Sequence, residues 1–230
     1  MRGSKTVFAI FLALFLVPSP GLTRPGDEAE TAARPKLVVV LVVDQMRADY
    51  VDQFGGRWTK GLRRLLDNGA RFTQAAYPYW NTVTCPGHAT IGTGTYPSTH
   101  GMVLNAWWDR AAGKQVSCTD DGVANVTAAG ARPPGNTPKN LLAATLADRM
   151  RAQLGSSTRV VTLSLKPRSA INLAGQKGDA VIWFGTGGWT TSTFYTGKLP
   201  GFVVRYQREH PAEDSIGKSW TKLLPESAYK

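Results

Sequence analysis

Thr84 stands in the run Asn81-Thr82-Val83-Thr84-Cys85-Pro86-Gly87-His88-Ala89-Thr90, which sets a hydroxyl and a thiol directly before a proline. That order suits a helix start, with Thr84 at or near the cap and Pro86 in the first turn. An anion held there meets backbone N–H groups and the positive end of the helix dipole. The same field favours ionising a hydroxyl. A threonine becomes a useful nucleophile only when something lowers its pKa, and with no base at catalytic spacing a bound metal is the economical activator. The plainer reading of Thr84 is a cap and nothing more. Cys85 offers a rival, an acidified thiolate as nucleophile. That chemistry needs a phosphate-cradling loop running from Cys to Arg, and the stretch from Pro86 to Ile91 contains no Arg.

Other segments carry groups suited to the same anion. Asp44 directly follows the apolar run Lys36 to Val43, where a carboxylate is either a metal ligand in the crevice at the end of a strand or a cap for the next segment. The stretch from Thr93-Gly94 through His100-Gly101 leads to Asn105, whose amide can donate to a phosphoryl oxygen. In Ser164-Leu165-Lys166-Pro167-Arg168 a strand end delivers two cations. Lysine supplies a point charge and arginine a planar fork, a pair suited to a dianionic phosphate.

The elements that must position these groups are legible as a pattern. Lys36 to Val43 is a continuous β-branched apolar run of the kind covered on both faces in a parallel sheet. Trp58, Leu62, Leu65 and Leu66 recur at helical spacing and end at Asn68-Gly69, and Arg71 to Tyr77 reads as a strand. Thr137-Pro138 opens a helix of about four turns whose face is Leu141, Leu142, Thr145, Leu146 and Met150. Thr158 to Leu165 reads as the next buried strand, Pro167 to Ala174 as a short helix and Ala180 to Phe184 as another strand. The alternation predicts an α/β fold, a mainly parallel sheet with helices on both faces and its site at the carboxyl ends of the strands.

The chain has 230 residues, 42% hydrophobic and 19% charged, which permits a real core and excludes disordered and collagen-like classes. Lys and Arg number 27 against 16 Asp and Glu, a formal charge of +11. The cations are scattered, with Lys60, Arg63 and Arg64 the densest group, so nucleic acid is not expected as a specific partner. Residues 1–23 read as an export signal, with Arg2 and Lys5 before the apolar stretch Phe8 to Val17 and the helix-breaking Pro18 to Gly21. Residues 24–35 read as a flexible linker and 36–230 as the folded part, exported to a periplasm or secreted, with no apolar run long enough to span a membrane. Two cysteines, Cys85 and Cys118, fit an oxidising compartment without settling whether they pair.

Together, the run from Val42 through Asp44, Thr84-Cys85-Pro86-Gly87-His88, Thr93-Gly94 and His100-Gly101 resembles the type I phosphodiesterase and nucleotide pyrophosphatase family of the alkaline phosphatase superfamily. Asn105 with Lys166 and Arg168 is similar to its PafA-type alkaline phosphatases, and the resemblance covers about residues 36–208. It implies a zinc-dependent phosphate monoester hydrolase acting on small-molecule phosphate esters. Thr84 would attack phosphorus and be phosphorylated, and water would then release phosphate. Asp44 and Thr84 would be ligands of one of two zinc ions, while Asn105, Lys166 and Arg168 would hold the phosphoryl oxygens. His88 and His100 would be structural, and Trp107, Trp108 and Trp189 core more readily than leaving-group contacts.

Two cations favour a monoester, with two charges and three free oxygens, over a diester. A phosphodiesterase or nucleotide pyrophosphatase of the same family, or an exported protein that binds phosphate without catalysis, is the alternative. A two-zinc site needs about six side-chain ligands. The family's remaining ligands, an Asp-x-x-x-His pair, an Asp-His pair and a distal His, have no match here, since the only histidines are His88, His100 and His210. The chain is therefore expected to be an N-terminal fragment that binds zinc poorly and turns over little by itself.

Overall fold

The computed structural model describes residues 35–132 and 134–229. The expected export signal, and the expected linker up to residue 34, lie outside the described residues. The chain divides into two units, Met1–Arg47 and Ala48–Lys230. In the first, residues 35–43 carry no strand pairing, and Leu37, Val39 and Leu41 are well exposed. The expected strand at Lys36 to Val43 therefore does not form there. A strand covered on both faces needs hydrogen-bonded neighbours, and the described residues of this unit, 35–47, are too few to supply one. The run ends in a turn in which Met46 N–H reaches the Val43 carbonyl at 3.4 Å, with Gln45 at φ 63°. Asp44 sits in that turn, exposed.

The second unit opens with α1 (Tyr50–Phe54), α2 (Gly61–Asn68), α3 (Thr84–Thr93) and α4 (Pro97–His100). Helix α2 realises the apolar spacing that ends at Gly69, whereas residues 71–77 form no strand. Then come β1 (Ala106–Asp109), β2 (Lys114–Ser117), β3 (Asp120–Asp121), β4 (Asn125–Thr127), β5 (Gly130–Arg132) and β6 (Gly135–Asn136). The chain continues through α5 (Leu146–Leu154), β7 (Val161–Ser164), α6 (Pro167–Ala174), β8 (Ala180–Gly185), β9 (Gly188–Ser192) and α7 (Gly201–Glu209).

The main sheet has the order β5-β4-β9-β8-β7, so β7 lies at an edge of it and, contrary to the expected buried strand, its Val161 and Leu163 are exposed. It is mixed rather than mainly parallel. Its parallel pair is β7–β8, the two strands that α6 connects, and β8–β9, β9–β4 and β4–β5 are antiparallel. The α/β class holds because β8 is covered on both faces. Val181 and Trp183 pack with Ala170, Ile171 and Ala174 of α6, while Ala180 and Ile182, on the other face, pack with Leu199 and with Val203 of α7. Strand alternation assigns the two sets to opposite faces. This is why Ala-Val-Ile-Trp reads as a continuous apolar run.

The expected helix at Thr137-Pro138 begins later, at Leu146. Thr145 caps it, its hydroxyl accepting from Asp148 N–H while the Asp148 carboxylate accepts from Thr145 N–H, and this reciprocal box fixes the start. Thr137 instead donates its hydroxyl to Asp121 at 3.0 Å. Asp179 ties α5 to the start of β7, accepting from Val160 N–H at 2.8 Å, from Arg159 at 3.1 Å and from Arg151. Burial pushes its carboxyl up, but the Val160 N–H and the two guanidiniums outweigh this and hold it below the ordinary carboxylate value.

Helix α3 packs along α6 at closest approach through Gly92, where an added Cβ would run into the carbonyl oxygen of Asn172. Gly92→Ala is expected to destabilise the protein by about 1–3 kcal/mol, since backbone cannot move aside as a side chain can. A thermal melt of the whole protein reads the loss against Gly61→Ala, whose added Cβ meets nothing within 4 Å.

Candidate functional site

Helix α3 positions Thr84. Val83, extended at φ −61° and ψ 171°, occupies the N-cap, so Thr84 is the first helical residue and Pro86 falls in the first turn. Thr84 is 8% exposed, and its backbone carbonyl lies 2.9 Å from Nδ1 of His88. The helix stops at Gly94 in the left-handed region, φ 67°, where a glycine costs least.

Asn105 is brought directly to this helix start. Its side-chain oxygen accepts the N–H of Cys85 at 2.8 Å. That bond revises the expected anion site. In the first turn Cys85 N–H is committed to Asn105, Pro86 has no N–H, and Gly87 N–H is bonded to the Val83 carbonyl at 3.0 Å. The helix start therefore offers few open amides, and an anion bound there would depend more on side chains. With its oxygen engaged, Asn105 has its NH₂ end as the half not used in this contact, and that half is a donor.

Lys166 and Arg168 sit where β7 ends and α6 begins. Lys166 occupies the N-cap position of α6, exposed, and its backbone N–H reaches the Ser164 hydroxyl at 3.2 Å. Pro167 is suited to the first turn, and Arg168 follows, half-buried. The Arg168 Nε is buried and makes no hydrogen bond among the described residues. One turn on, on the same face, fully buried Asn172 also has both side-chain polar atoms unpaired among those residues. Thr84, Asn105, Lys166 and Arg168 thus all belong to the second unit, and Asp44 to the first.

His100 is part of the buried framework. His100 is fully buried, its Nδ1 accepting Met102 N–H at 3.1 Å and its Nε2 lying 3.0 Å from the Thr90 hydroxyl. An Nδ1 that accepts places the ring proton on Nε2, and burial holds the imidazole below its usual pKa, so it stays neutral. Thr90 in turn bonds the Tyr79 hydroxyl at 2.8 Å. Trp107 packs against the buried cluster of Cys85, Ala89, Met102, Cys118 and Leu141, and Trp189 against that of Ala180 and Ile182, whereas Trp108 is exposed.

Cys85 and Cys118 form a disulfide across 33 residues. That removes the thiolate alternative. The sequence left the pairing open, with an even cysteine count in a chain expected to be exported as its signal, and the bridge now sets Cys118 against the start of α3.

Among the described residues no three His, Cys, Asp or Glu side chains gather in a way that could hold a metal. Asp44 and Thr84 are two oxygen donors, fewer than a two-zinc site needs. Among the described residues no helix is long and apolar enough to cross a membrane.

Residues 38–227 match the family model described as type I phosphodiesterase / nucleotide pyrophosphatase. The alkaline phosphatase PafA of Elizabethkingia meningoseptica is 36% identical over 208 residues, 89% of this chain but 38% of that enzyme. The crystal structure of wild-type PafA superposes with a TM-score of 0.73 at 34% identity, covering 80% of this chain and 36% of that one. A PafA variant with one threonine changed to serine, and one asparagine, one lysine and one arginine changed to alanine, superposes with a TM-score of 0.72 at 33% identity over the same shares. The chain thus spans less than two-fifths of the length of the relative it matches. Its motifs, its fold and the extent of the match agree that the chain belongs to the type I phosphodiesterase / nucleotide pyrophosphatase family.

Proposed function

We propose that the whole protein is an exported, zinc-dependent phosphate monoesterase, an alkaline phosphatase acting on small-molecule phosphate esters through a phosphorylated Thr84. The observation that supports this reading is the bond from Cys85 N–H to the Asn105 side-chain oxygen, which ties Asn105 to the residue after Thr84 at the start of α3. The substituted PafA variant supports it. Its threonine and asparagine have the same separation as Thr84 and Asn105, and its lysine and arginine the same separation as Lys166 and Arg168.

In the proposed reaction Thr84 Oγ forms a bond to phosphorus as the bond from phosphorus to the ester oxygen breaks, and the Thr84 proton passes by way of solvent to the departing oxygen. The alcohol leaves, with the phosphoryl group on Thr84. Water then attacks phosphorus, the bond to Thr84 Oγ breaks, and inorganic phosphate departs with the hydroxyl restored. Asn105 donates from its NH₂ end, Lys166 offers a point charge, and the buried Arg168 Nε–H offers a donor with no partner among the described protein groups. Such contacts count most when they strengthen as charge redistributes in the transition state. Zinc is part of the proposal through the family resemblance. This chain would contribute Asp44 and Thr84, and the other ligands would come from outside it.

The family's name also favours a phosphodiesterase or nucleotide pyrophosphatase. Steady-state hydrolysis of an aryl phosphate monoester and of the matching bis-aryl diester by the whole protein, before and after zinc removal, separates the readings. The proposal expects hydrolysis that is lost on chelation, restored by zinc and faster for the monoester. Preference for the diester would move the assignment to the alternative, and metal-independent hydrolysis or none would overturn it.

A further inference from the structure

Asn105 is held from both ends by the two halves of one cystine. Its side-chain oxygen accepts Cys85 N–H at 2.8 Å, and its backbone carbonyl accepts Cys118 N–H at 2.9 Å. Cys85 and Cys118 are joined by the disulfide, so one covalent link and two hydrogen bonds close a ring around a single side chain. The cystine is itself immobilised. Both sulfur residues are fully buried among Ala89, Met102 and Leu141, and the Cys118 carbonyl accepts Asn140 Nδ2 at 3.0 Å. By contrast, residues 101–104, which lead to Asn105, form no helix or strand, and Val103 is 47% exposed.

We propose that the Cys85–Cys118 disulfide is a positioning element for Asn105, fixing the direction of its NH₂ donor relative to the Thr84 hydroxyl. The inference rests on the reading of Asn105 as a phosphoryl ligand given above. A carboxamide turns about two side-chain bonds, and its donor end is aimed only by what holds its oxygen. Opening the bridge removes the covalent part of this ring and leaves two hydrogen bonds alone to hold Asn105 between residues 85 and 118. Misplacing a positioned group by about 1 Å can cost on the order of 100-fold in rate.

A bridge that merely staples the fold would lower stability and affect every background alike. A double-mutant cycle in the whole, zinc-loaded protein tells the two apart. Cys85→Ser/Cys118→Ser is compared with wild type, and again with both carrying Asn105→Ala, below the melting temperature of every variant. Expected is a loss of about 10- to 100-fold in kcat/KM for an aryl phosphate monoester when Asn105 is present. In the Asn105→Ala background the loss should shrink to about two- to threefold. Competitive inhibition by inorganic phosphate should weaken in the same pattern.

Equal losses in both backgrounds, or none in either, would overturn the proposal. If the serine pair fails to fold, Cys85→Ala/Cys118→Val, which keeps the cluster apolar, and folded wild type after reduction give the same comparison. Inactive wild type, or a Thr84→Ala variant that retains activity, would defeat the underlying reading together with this one. An active wild type with a dead Thr84→Ala variant and no coupling to Asn105 would defeat only the role of the disulfide.

Discussion

Thr84→Ala in the whole protein is expected to lower phosphate ester hydrolysis by about 10⁴-fold or more, the scale seen when a covalent nucleophile is removed. The folded state should survive. Thr84 is not the N-cap of α3, a position held by Val83, so no capping side chain is lost, and alanine is the better helix former. The residue is 8% exposed, and the change removes a methyl and a hydroxyl from the helix start without adding bulk. Thermal melting should therefore shift far less than the rate. Thr84→Ser keeps the hydroxyl and should retain most of the activity. Steady-state rates and a melt on the three proteins decide it.

The second large effect concerns charge. Lys166→Ala and Arg168→Ala are each expected to reduce kcat/KM for a phosphate monoester by about 10²- to 10³-fold, the usual cost of removing one donor aimed at developing charge. For a diester, with one negative charge, the loss should be clearly smaller. Arg168→Lys should rescue poorly, because a point charge replaces a planar fork and the buried Nε–H disappears. Both residues lie at the junction of β7 and α6, where helix entry fixes the backbone. Equal losses on monoester and diester would show that the two cations do not discriminate between substrates.

The βαβ unit of β7, α6 and β8 was legible because each part carries its own local signal. Ala180 to Trp183 is apolar on every residue since both faces are covered, and Pro167 sets the start of α6. The strands between residues 106 and 136 had no such signal. They are two to four residues long, too short for alternation to show, and one of them is Asp120–Asp121. Helix α5 starts later than its pattern implies because Thr137-Pro138 imitates a cap, whereas the box of Thr145 and Asp148 forms one.

For the site, residue types and their order along the chain were readable. The contacts between distant segments were not. Nothing local says that Asn105 turns its oxygen to Cys85 N–H, 20 residues away, or that Cys118 closes a bridge beside it. Those contacts depend on how α3 meets the start of β1. They also engage the amides of Cys85 and Gly87 at the helix start.

The central claim is that Thr84 carries the phosphoryl group. The most direct test is to mix the whole, zinc-loaded protein with an aryl phosphate, quench in acid during turnover, and map the peptides by mass spectrometry. The expected result is one added phosphoryl group on the peptide containing Thr84, localised to that residue and absent from Thr84→Ala. Turnover without any phosphorylated peptide, or with the group on another residue, would contradict it.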